Sequence, residues 1–356
     1  MAPVVKEFQK YPDEFETKVC VTAQHREMLD QVLGFFEIKP DYDLDIMKQD
    51  QDLSSLTSSL IESLTNVFED FKPNYVYVHG DTTTTFSASL SAFYFGAKVC
   101  HVEAGLRTYD KKAPFPEEVN RQLTGRLTDI HFAPTERAKE NLLKENIKSE
   151  NILVTGNTVI DALRICLSKL ESYSSDELEQ VKSIVDPRKK LILVTGHRRE
   201  NFGEGMIQIC EALKEIAIRK DVQIIYPVHL NPNVQKPVYE LLSNLDNVDL
   251  IEPLSYESFV WLMNESYLII TDSGGIQEEA PFLGKPVLLM REVSERPEAL
   301  GFSTVLVGSN RDKILANTNL LISDVQKYNE LSSARNLYGK GTASRQIVEY
   351  QKKVKI

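Results

Sequence analysis

The strongest constraint on the fold of this chain is an alternation of short apolar runs with longer amphipathic segments. The runs are three or four residues long and rich in β-branched and aromatic side chains, which is typical of buried strands. They lie at residues 75–78, 99–102, 130–132, 152–154, 191–194, 224–226, 267–270 and 287–289. Strands that alternate with helices in this way predict parallel sheets covered on both faces.

The order of these runs divides the chain into two parts. Residues 158–190 carry a long helical pattern that ends in Asp-Pro-Arg-Lys-Lys and contains no apolar run, which is typical of a connection between two sheets. A chain of 356 residues is also long enough for two domains, each with its own core. We predict two doubly wound, Rossmann-like α/β domains facing a cleft, over residues 1–170 and 171–340. A C-terminal helix at 341–356 is expected to pack back on the first domain.

The charge and cysteine content exclude several classes of protein. The 41 Lys and Arg residues against 52 Asp and Glu residues give a formal net charge of −11, which argues against a general nucleic-acid or acidic-membrane surface. Four scattered cysteines in apolar contexts favour reduced thiols over a disulfide framework. No apolar run approaches the roughly 18 residues of a membrane span, and no signal segment opens the chain. We expect a cytoplasmic protein without nucleic-acid or membrane partners.

Small and polar residues follow nearly every predicted strand. The clusters are His-Gly-Asp-Thr-Thr-Thr-Thr at 79–85, Glu-Ala-Gly-Leu-Arg at 103–107, Gly-His-Arg-Arg-Glu at 196–200, His-Leu-Asn-Pro at 229–232 and Thr-Asp-Ser-Gly-Gly at 271–275. In open α/β sheets, ligands bind beyond the carboxyl ends of the strands. The sequence therefore predicts that both halves direct their chemistry at one crevice.

The turn after the run at 267–270 has the pattern of an anion site. Ser273, Gly274 and Gly275 open a helix, where we expect free backbone N–H groups to face a phosphate. A simple serine cap with a glycine turn is the structural alternative. Glu278 and Glu279 follow at once and suit ribose hydroxyls. The anion site and the paired acids together suggest a nucleoside diphosphate. As sequence, both a Walker loop and a dinucleotide fingerprint are absent.

Three acids of the first half are candidates for proton transfer. Asp81, Glu103 and Glu117 come from three separate positions after strands or in loops, without metal-ligand spacing, so their convergence indicates acid/base chemistry and no metal. Each also has a structural reading: Asp81 as a helix cap, and Glu117 with Glu118 as a solvated helix start. His101 shares a strand face with Glu103, as many core pairs do.

The second half supplies cationic candidates. His197 follows an apolar strand in a loop with Arg198 and Arg199, where an imidazole and two guanidinium groups could meet phosphate oxygens. The alternative is a surface charge run. His229 and Arg296 also follow strands and are further candidates for a phosphate site.

Long motifs over almost the whole chain resemble one family. In order they are HGDTTTT, HVEAGLRT, PFPEEVNR, VTGNTVIDAL, GHRREN, YPVHLNPNV, TDSGGIQEEAP, GKPVLLMR and ERPEA. They are similar to the bacterial non-hydrolysing UDP-N-acetylglucosamine 2-epimerases. The resemblance implies a GT-B-like fold, a homodimer, no cofactor, and interconversion of UDP-GlcNAc and UDP-ManNAc for cell-envelope polysaccharide. It further implies anti elimination of UDP to 2-acetamidoglucal, followed by re-addition.

The resemblance also assigns roles to matching residues. Those implied to be catalytic are Asp81, Glu103, Glu117 and His197. Those implied to bind UDP are Ser273, Gly274, Gly275, Glu279 beside the ribose, Phe259 beside uracil, and Arg296. Those implied to bind a second, regulatory UDP-GlcNAc are Gln24, His25, Arg198 and His229.

One departure from the family pattern lies at the start of the sequence. Family members open with an apolar strand and a Gly-Thr-Arg-Pro-Glu loop, whereas this sequence opens with Met-Ala-Pro-Val-Val. We expect that first strand and its cationic loop to be missing, which would leave two unpaired sheet edges and depress turnover more than UDP binding.

Three other functions remain open at this point. A hydrolysing relative would share the elimination step but release ManNAc and UDP. A glycosyltransferase is less favoured, because three acids exceed what transfer needs. A catalytically impaired UDP-sugar-binding protein is the non-enzyme alternative.

Overall fold

A computed structural model describes residues 1–22, 26–46, 51–294, 296–333 and 336–354. The chain divides into two compact units, Met1–Ala162 together with Tyr338–Ile356, and Leu163–Leu337. Among the described residues, no helix is both long and apolar enough to cross a bilayer.

The first unit contains two parallel sheets. The larger has four strands in the order β3-β4-β5-β6, and the smaller pairs β1 with β2. The strands are β1 (Cys20–Val21), β2 (Tyr42–Asp43), β3 (Tyr75–His79), β4 (Lys98–Val102), β5 (Ile130–Ala133) and β6 (Ile152–Val154). The helices are α1 (Ala2–Phe8), α2 (Arg26–Phe35), α3 (Leu53–Phe71), α4 (Thr83–Phe95), α5 (Glu117–Leu127), α6 (Glu136–Lys144), the start of α7 (Thr158–Leu170) and α15 (Ala343–Lys353).

Helices cover both faces of the larger sheet because successive strand residues point in opposite directions. In β4, Val99 packs in a cluster with side chains of α3 and α4. Cys100 and Val102 pack instead with residues of α1 and α15, including Val4 and Ile347. A strand buried on both sides reads as a continuous apolar run, which is why the sequence shows it so clearly.

A cavity of about 960 Å³ lies within the first unit, beside β1 and β3. Its lining includes Cys20 from β1, Tyr75 and Tyr77 from β3, and Phe8 from α1. Among the described residues, β3 pairs only with β4 and β1 only with β2, so this unit has two separate sheets.

The second unit has one six-stranded parallel sheet in the order β12-β11-β10-β7-β8-β9. Its strands are β7 (Lys190–Thr195), β8 (Val222–Pro227), β9 (Val248–Ile251), β10 (Leu268–Thr271), β11 (Val287–Leu289) and β12 (Thr304–Leu306). Its helices are the remainder of α7, then α8 (Asp176–Ile184), α9 (Glu204–Ile216), α10 (Pro232–Leu242), α11 (Tyr256–Glu265), α12 (Ile276–Phe282), α13 (Arg311–Ser323) and α14 (Val325–Ser332). This is the Rossmann order, and its switch point lies between β7 and β10.

The doubly wound α/β class is confirmed, and every predicted strand is present with bounds shifted by at most two residues. Sequence reading missed four strands: β1, β2, β9 and β12. The first two contain only two residues each, and β9 includes the polar Asp249, so none of these forms an apolar run. The predicted connection is helical, formed by α7 and α8.

Candidate active site

Two of the predicted catalytic acids lie at the carboxyl ends of β3 and β4. These strands are parallel neighbours, with His79 opposite Val102, so the residues after them share one sheet edge. Glu103 follows β4 directly and its Oε2 lies 3.2 Å from Nε2 of His79. The backbone of Glu103 has φ of 65°, the left-handed region that few residues other than glycine adopt. Such a conformation costs energy and is found where a side chain must be aimed.

Helix α5 brings the third acid to the same place. Arg121 of α5 forms an ion pair with Asp81, and its Nη1 lies 3.2 Å from Oε2 of Glu118. Asn120 also donates from Nδ2 to the carbonyl of Asp81 at 3.0 Å. Glu117 is the first residue of α5, and its Oε2 is buried without a hydrogen-bond partner among the described residues. The predicted acids therefore cluster around one sheet edge and one helix start.

The neighbouring Glu118 is a structural residue. It is fully buried, so the solvated helix start considered for it is wrong. Its carboxylate accepts the backbone N–H groups of Thr108 and Tyr109, both at 3.0 Å, and Nε2 of Gln122 at 2.7 Å. A buried carboxylate is stable only with such partners. Glu118 thus fixes the loop that precedes α5.

His101 is a core histidine, as its strand position indicated. It is buried on β4, and burial lowers the pKa of its imidazole to about 4. The ring is therefore neutral at pH 7. Its Nε2 lies 2.8 Å from the carbonyl of Gly80, which can only accept, so Nε2 carries the proton. This bond holds the turn between His79 and Asp81.

The second unit presents a buried acid at its switch point. Asp272 follows β10 and is fully buried beside the loop that follows β7. Its Oδ2 accepts the backbone N–H groups of His197 and Arg198, both at 2.9 Å, and Nδ2 of Asn201 at 3.1 Å. Its Oδ1 has no hydrogen-bond partner among the described residues and lies 3.7 Å from Nδ1 of His197.

The ring of His197 is 45% exposed and stacks on that of His229, with the ring centroids 5.2 Å apart. Burial lowers the pKa of His197, while the negative charge of Asp272 opposes the shift. Arg198 is also close enough to lower this pKa. Two of the four predicted regulatory residues, Arg198 and His229, thus lie beside His197. The other two, Gln24 and His25, lie outside the described residues.

The turn after β10 is built around close contact with an arginine. A Cβ on Gly274 would lie 2.9 Å from Nη1 of Arg296, so a larger residue at this position would require the guanidinium to shift. Arg296 in turn forms an ion pair with Glu278 of α12. The expectation of a free amide at Ser273 is wrong, because that N–H donates to Oγ1 of Thr271 at 2.9 Å.

The remaining predicted UDP-site residues lie on α11 and α12. Glu279 is 9% exposed, and burial together with the nearby charge of Glu278 raises the pKa of its carboxyl to about 8. Glu279 is therefore mostly protonated at pH 7. Phe259 is half-buried on α11, one turn after Tyr256. Burial, together with the negative charge of Glu279, raises the pKa of the Tyr256 phenol.

Comparison with known proteins identifies the family. The family model described as UDP-N-acetylglucosamine 2-epimerase matches residues 6–352. A UDP-N-acetylglucosamine 2-epimerase of Campylobacter jejuni is 54% identical over 355 residues, covering 98% of this chain and 92% of the relative. The chain belongs to the UDP-N-acetylglucosamine 2-epimerase family. As a member of this family it is an isomerase.

Solved structures of other proteins agree with this assignment. The crystal structure of the Neisseria meningitidis UDP-GlcNAc 2-epimerase bound to UDP-GlcNAc is 53% identical, with a TM-score of 0.93 over 99% of this chain and 96% of that one. Anabaena HepE in complex with UDP-glucose, at 14% identity and a TM-score of 0.65, shares the fold alone. These likenesses bear out the predicted GT-B-like fold class.

Sequence reading of this epimerase-family chain missed two residues that organise the site. Arg121 joins Asp81 to Glu118, and Asp272 joins the loop of His197 to the turn at Ser273. Both lie inside motifs that carry the family resemblance, Arg121 in PFPEEVNR and Asp272 in TDSGGIQEEAP. Their positions could have indicated a role in the site, because Arg121 lies one helical turn after Glu118 and Asp272 directly follows an apolar strand.

Proposed function

We propose that this chain catalyses reversible epimerisation at C2 of UDP-N-acetylglucosamine to UDP-N-acetylmannosamine, for cell-envelope polysaccharide synthesis. The observation that carries the proposal is the cluster of Asp81, Glu103 and Glu117 at one sheet edge of a family member. The C2 proton of the sugar has no adjacent carbonyl to acidify it. It must therefore leave as the C1–O bond breaks, which requires a carboxylate base close to C2.

The contacts of the three acids suggest how the steps are divided. Asp81 is tied to the buried Arg121, which holds its carboxylate in place. Glu117, at the start of α5 and with no hydrogen-bond partner on Oε2 among the described residues, is proposed to take the C2 proton. The electron pair of the C–H bond forms the C1–C2 double bond of 2-acetamidoglucal, and UDP departs with the C1–O electrons. Re-addition of UDP after protonation of the other face gives the epimer.

The second unit supplies groups for the departing UDP. The amides of Gly274 and Gly275 and the guanidinium of Arg296 suit the diphosphate oxygens. Glu279 and Phe259 are proposed to contact the ribose and the uracil. His197 is proposed to lie beside the diphosphate, where positive charge favours cleavage of the C1–O bond. Catalysis then depends on bringing the acids to the sugar while UDP is held.

Product analysis tests the proposal against its closest alternative. Purified protein incubated with UDP-GlcNAc, without added NAD or metal, is expected to give a mixture of UDP-GlcNAc and UDP-ManNAc. Ion-exchange chromatography separates these from UDP and free sugar. Stoichiometric release of ManNAc and UDP would replace this function with that of a hydrolysing epimerase. Binding of UDP without any product would instead indicate an impaired UDP-sugar-binding protein.

The ionisation of Glu279 predicts a pH dependence of UDP binding. With a pKa of about 8, its carboxyl is neutral below pH 8 and charged above it. Ribose hydroxyls donate more strongly to the ionised carboxylate than to the neutral acid, so UDP affinity should rise as the pH rises from 7 to 9. Calorimetric titration of UDP measures this rise. The Glu279→Gln variant, neutral throughout, should show a flatter pH profile, and equal profiles for the two proteins would contradict the prediction.

We also propose that the protein is a homodimer. Phe93 and Tyr94 at the end of α4 are 59% and 71% exposed, and an exposed aromatic pair of this kind fits an interface between copies. Replacing both by serine is expected to shift the protein from dimer to monomer in sedimentation-velocity experiments at micromolar concentration. Ile218→Ser, at a position 77% exposed in the second unit, is the control and should leave the dimer intact. A double variant that stays dimeric would rule out this surface.

A regulatory role for a second UDP-GlcNAc is the last part of the proposal. Arg198 and His229, which the family resemblance assigns to that ligand, both lie against His197. A ligand that contacts them would therefore change the surroundings of a group proposed for catalysis. His229→Ala should weaken the dependence of rate on a second molecule of UDP-GlcNAc, seen as a lower Hill coefficient in initial-rate measurements.

A further inference from the structure

We propose that Asp272 is a positioning residue for His197: its Oδ1 accepts the Nδ1–H of that ring when a diphosphate is bound and so holds the ring as a cation facing it. The inference rests on the proposed function, because it assumes that His197 faces the leaving diphosphate. It adds a residue to which neither the sequence nor the family resemblance gave a role.

The carboxylate of Asp272 is fixed in place by its contacts. Three donors, the amides of His197 and Arg198 and Nδ2 of Asn201, all converge on Oδ2. The Asp272 side chain is fully buried, and its Oδ1 has no hydrogen-bond partner in the part of the chain that the structure describes. A buried acceptor without a hydrogen bond is costly unless a donor reaches it.

The nearest donor is the His197 ring. Its Nδ1 lies 3.7 Å from Oδ1, and a movement of about 1 Å would bring it to an ordinary hydrogen-bond length. The His197 side chain is 45% exposed and its ring packs against that of His229, so the movement would change this stacking. The arrangement resembles the carboxylate–imidazole pairs in which an acid fixes the tautomer and orientation of a histidine.

The surroundings of His197 set the pKa of its ring. Burial lowers this pKa, Asp272 raises it, and His229 and Arg198 lower it. The pKa of His197 is therefore lowered in the free protein. The negative charges of a bound diphosphate would add to that of Asp272 and offset the two opposing groups. With Nδ1–H donated to Oδ1, Nε2–H is left to face the diphosphate.

A purely structural role is the competing explanation, because Asp272 also ties the His197 loop to the turn at Ser273. The Asp272→Asn variant separates the two roles. Its side-chain oxygen can still accept the three donors, while its NH2 group faces Nδ1 and forces the opposite tautomer on the ring. The loop contacts are kept, and the charge and the acceptor are lost.

The kinetic test is a double-mutant cycle with His197→Ala. Asp272→Asn alone is expected to lower kcat by on the order of 10²-fold or more with little change in KM. In the His197→Ala background the same change should have almost no further effect, because a positioning residue acts only through its partner. An equal loss of kcat in both backgrounds would overturn the proposal. Circular dichroism and UDP titration of each variant report whether the fold is intact.

A second measurement does not depend on catalysis. Nitrogen-15 NMR of the His197 ring in the wild-type protein reports its tautomer and its pKa with and without UDP. We expect UDP to raise this pKa, and Nδ1 to keep its proton. A UDP-bound ring that is neutral with the proton on Nε2 alone would overturn the inference whatever the activity. If NMR gives the expected result and no epimerisation occurs, the pair stands and the proposed function fails.

Discussion

Replacing Glu117 by glutamine is expected to lower epimerisation by on the order of 10²-fold or more, since a positioned acid or base contributes roughly 10² to 10⁴ to rate. The same loss is expected for Asp81→Asn and Glu103→Gln. The amide in each variant keeps the size and polarity of the acid it replaces but neither removes nor returns a proton. UDP affinity should stay close to that of the wild type, because these acids lie in the first unit and the residues proposed for UDP in the second. Initial rates and calorimetry measure the two quantities separately.

The three variants differ in what else they disturb. Among the described residues, Asp81→Asn leaves the buried Arg121 with Glu118 as its one ionic partner, so this variant should also lose stability. Glu117→Gln should not, because its buried Oε2 has no hydrogen-bond partner to lose within the described ranges. The control is Glu136→Gln, at an exposed acid that starts α6 in the same unit. Wild-type turnover in all three site variants would remove these acids from the mechanism.

The Gly105→Ala variant is expected to lose on the order of 3–5 kcal/mol of unfolding free energy, from strained backbone together with overpacking. Gly105 has φ of 93°, and a Cβ there would lie 2.3 Å from the carbonyl oxygen of Ala138 in α6. The two nearest atoms belong to the backbone of Ala138, which cannot move aside as the end of a flexible side chain could. Because Glu103 lies two residues earlier, the displaced loop should also reduce turnover.

Urea unfolding followed by circular dichroism measures the effect of Gly105→Ala. The matched control is Gly34→Ala in α2, where a Cβ would meet no heavy atom within 4 Å. Alanine in a helix is favoured over glycine, so this control should be as stable as the wild type or slightly more stable. Equal unfolding midpoints for the two variants would show that the contact with Ala138 is not as close as described.

Local pattern was enough to predict most of the fold. Runs such as 191–194 and 287–289 are buried on both faces and therefore read as unbroken apolar strands. Strand β1 and strand β2 hold two residues each, too few for any pattern to form. The pairing of β1 with β2 could not be predicted either, because pairing between distant segments leaves no local signal.

The site was predictable to the extent that it depends on position along the chain. Residues just after parallel strands lie at the carboxyl edge of their sheet, so the sequence predicts this position for Asp81 and Glu103 in the first unit and for His197 in the second. The side chains that these residues contact could not be predicted from the sequence. Asp272 reaches His197 across 75 residues, and Arg121 reaches Asp81 across 40. The bond from the Ser273 amide to Thr271 is local, but it could not be predicted because the glycines of this turn suggested free N–H groups.

Proton abstraction from C2 is tested most directly by proton NMR of UDP-GlcNAc incubated with the enzyme in deuterium oxide. Elimination removes the C2 proton to a carboxylate that exchanges with solvent, so deuterium should enter C2 of both UDP-GlcNAc and UDP-ManNAc as the mixture forms. Glu117→Gln should lower exchange and epimerisation by the same factor. Formation of UDP-ManNAc that keeps its original C2 proton would contradict proton abstraction by these acids.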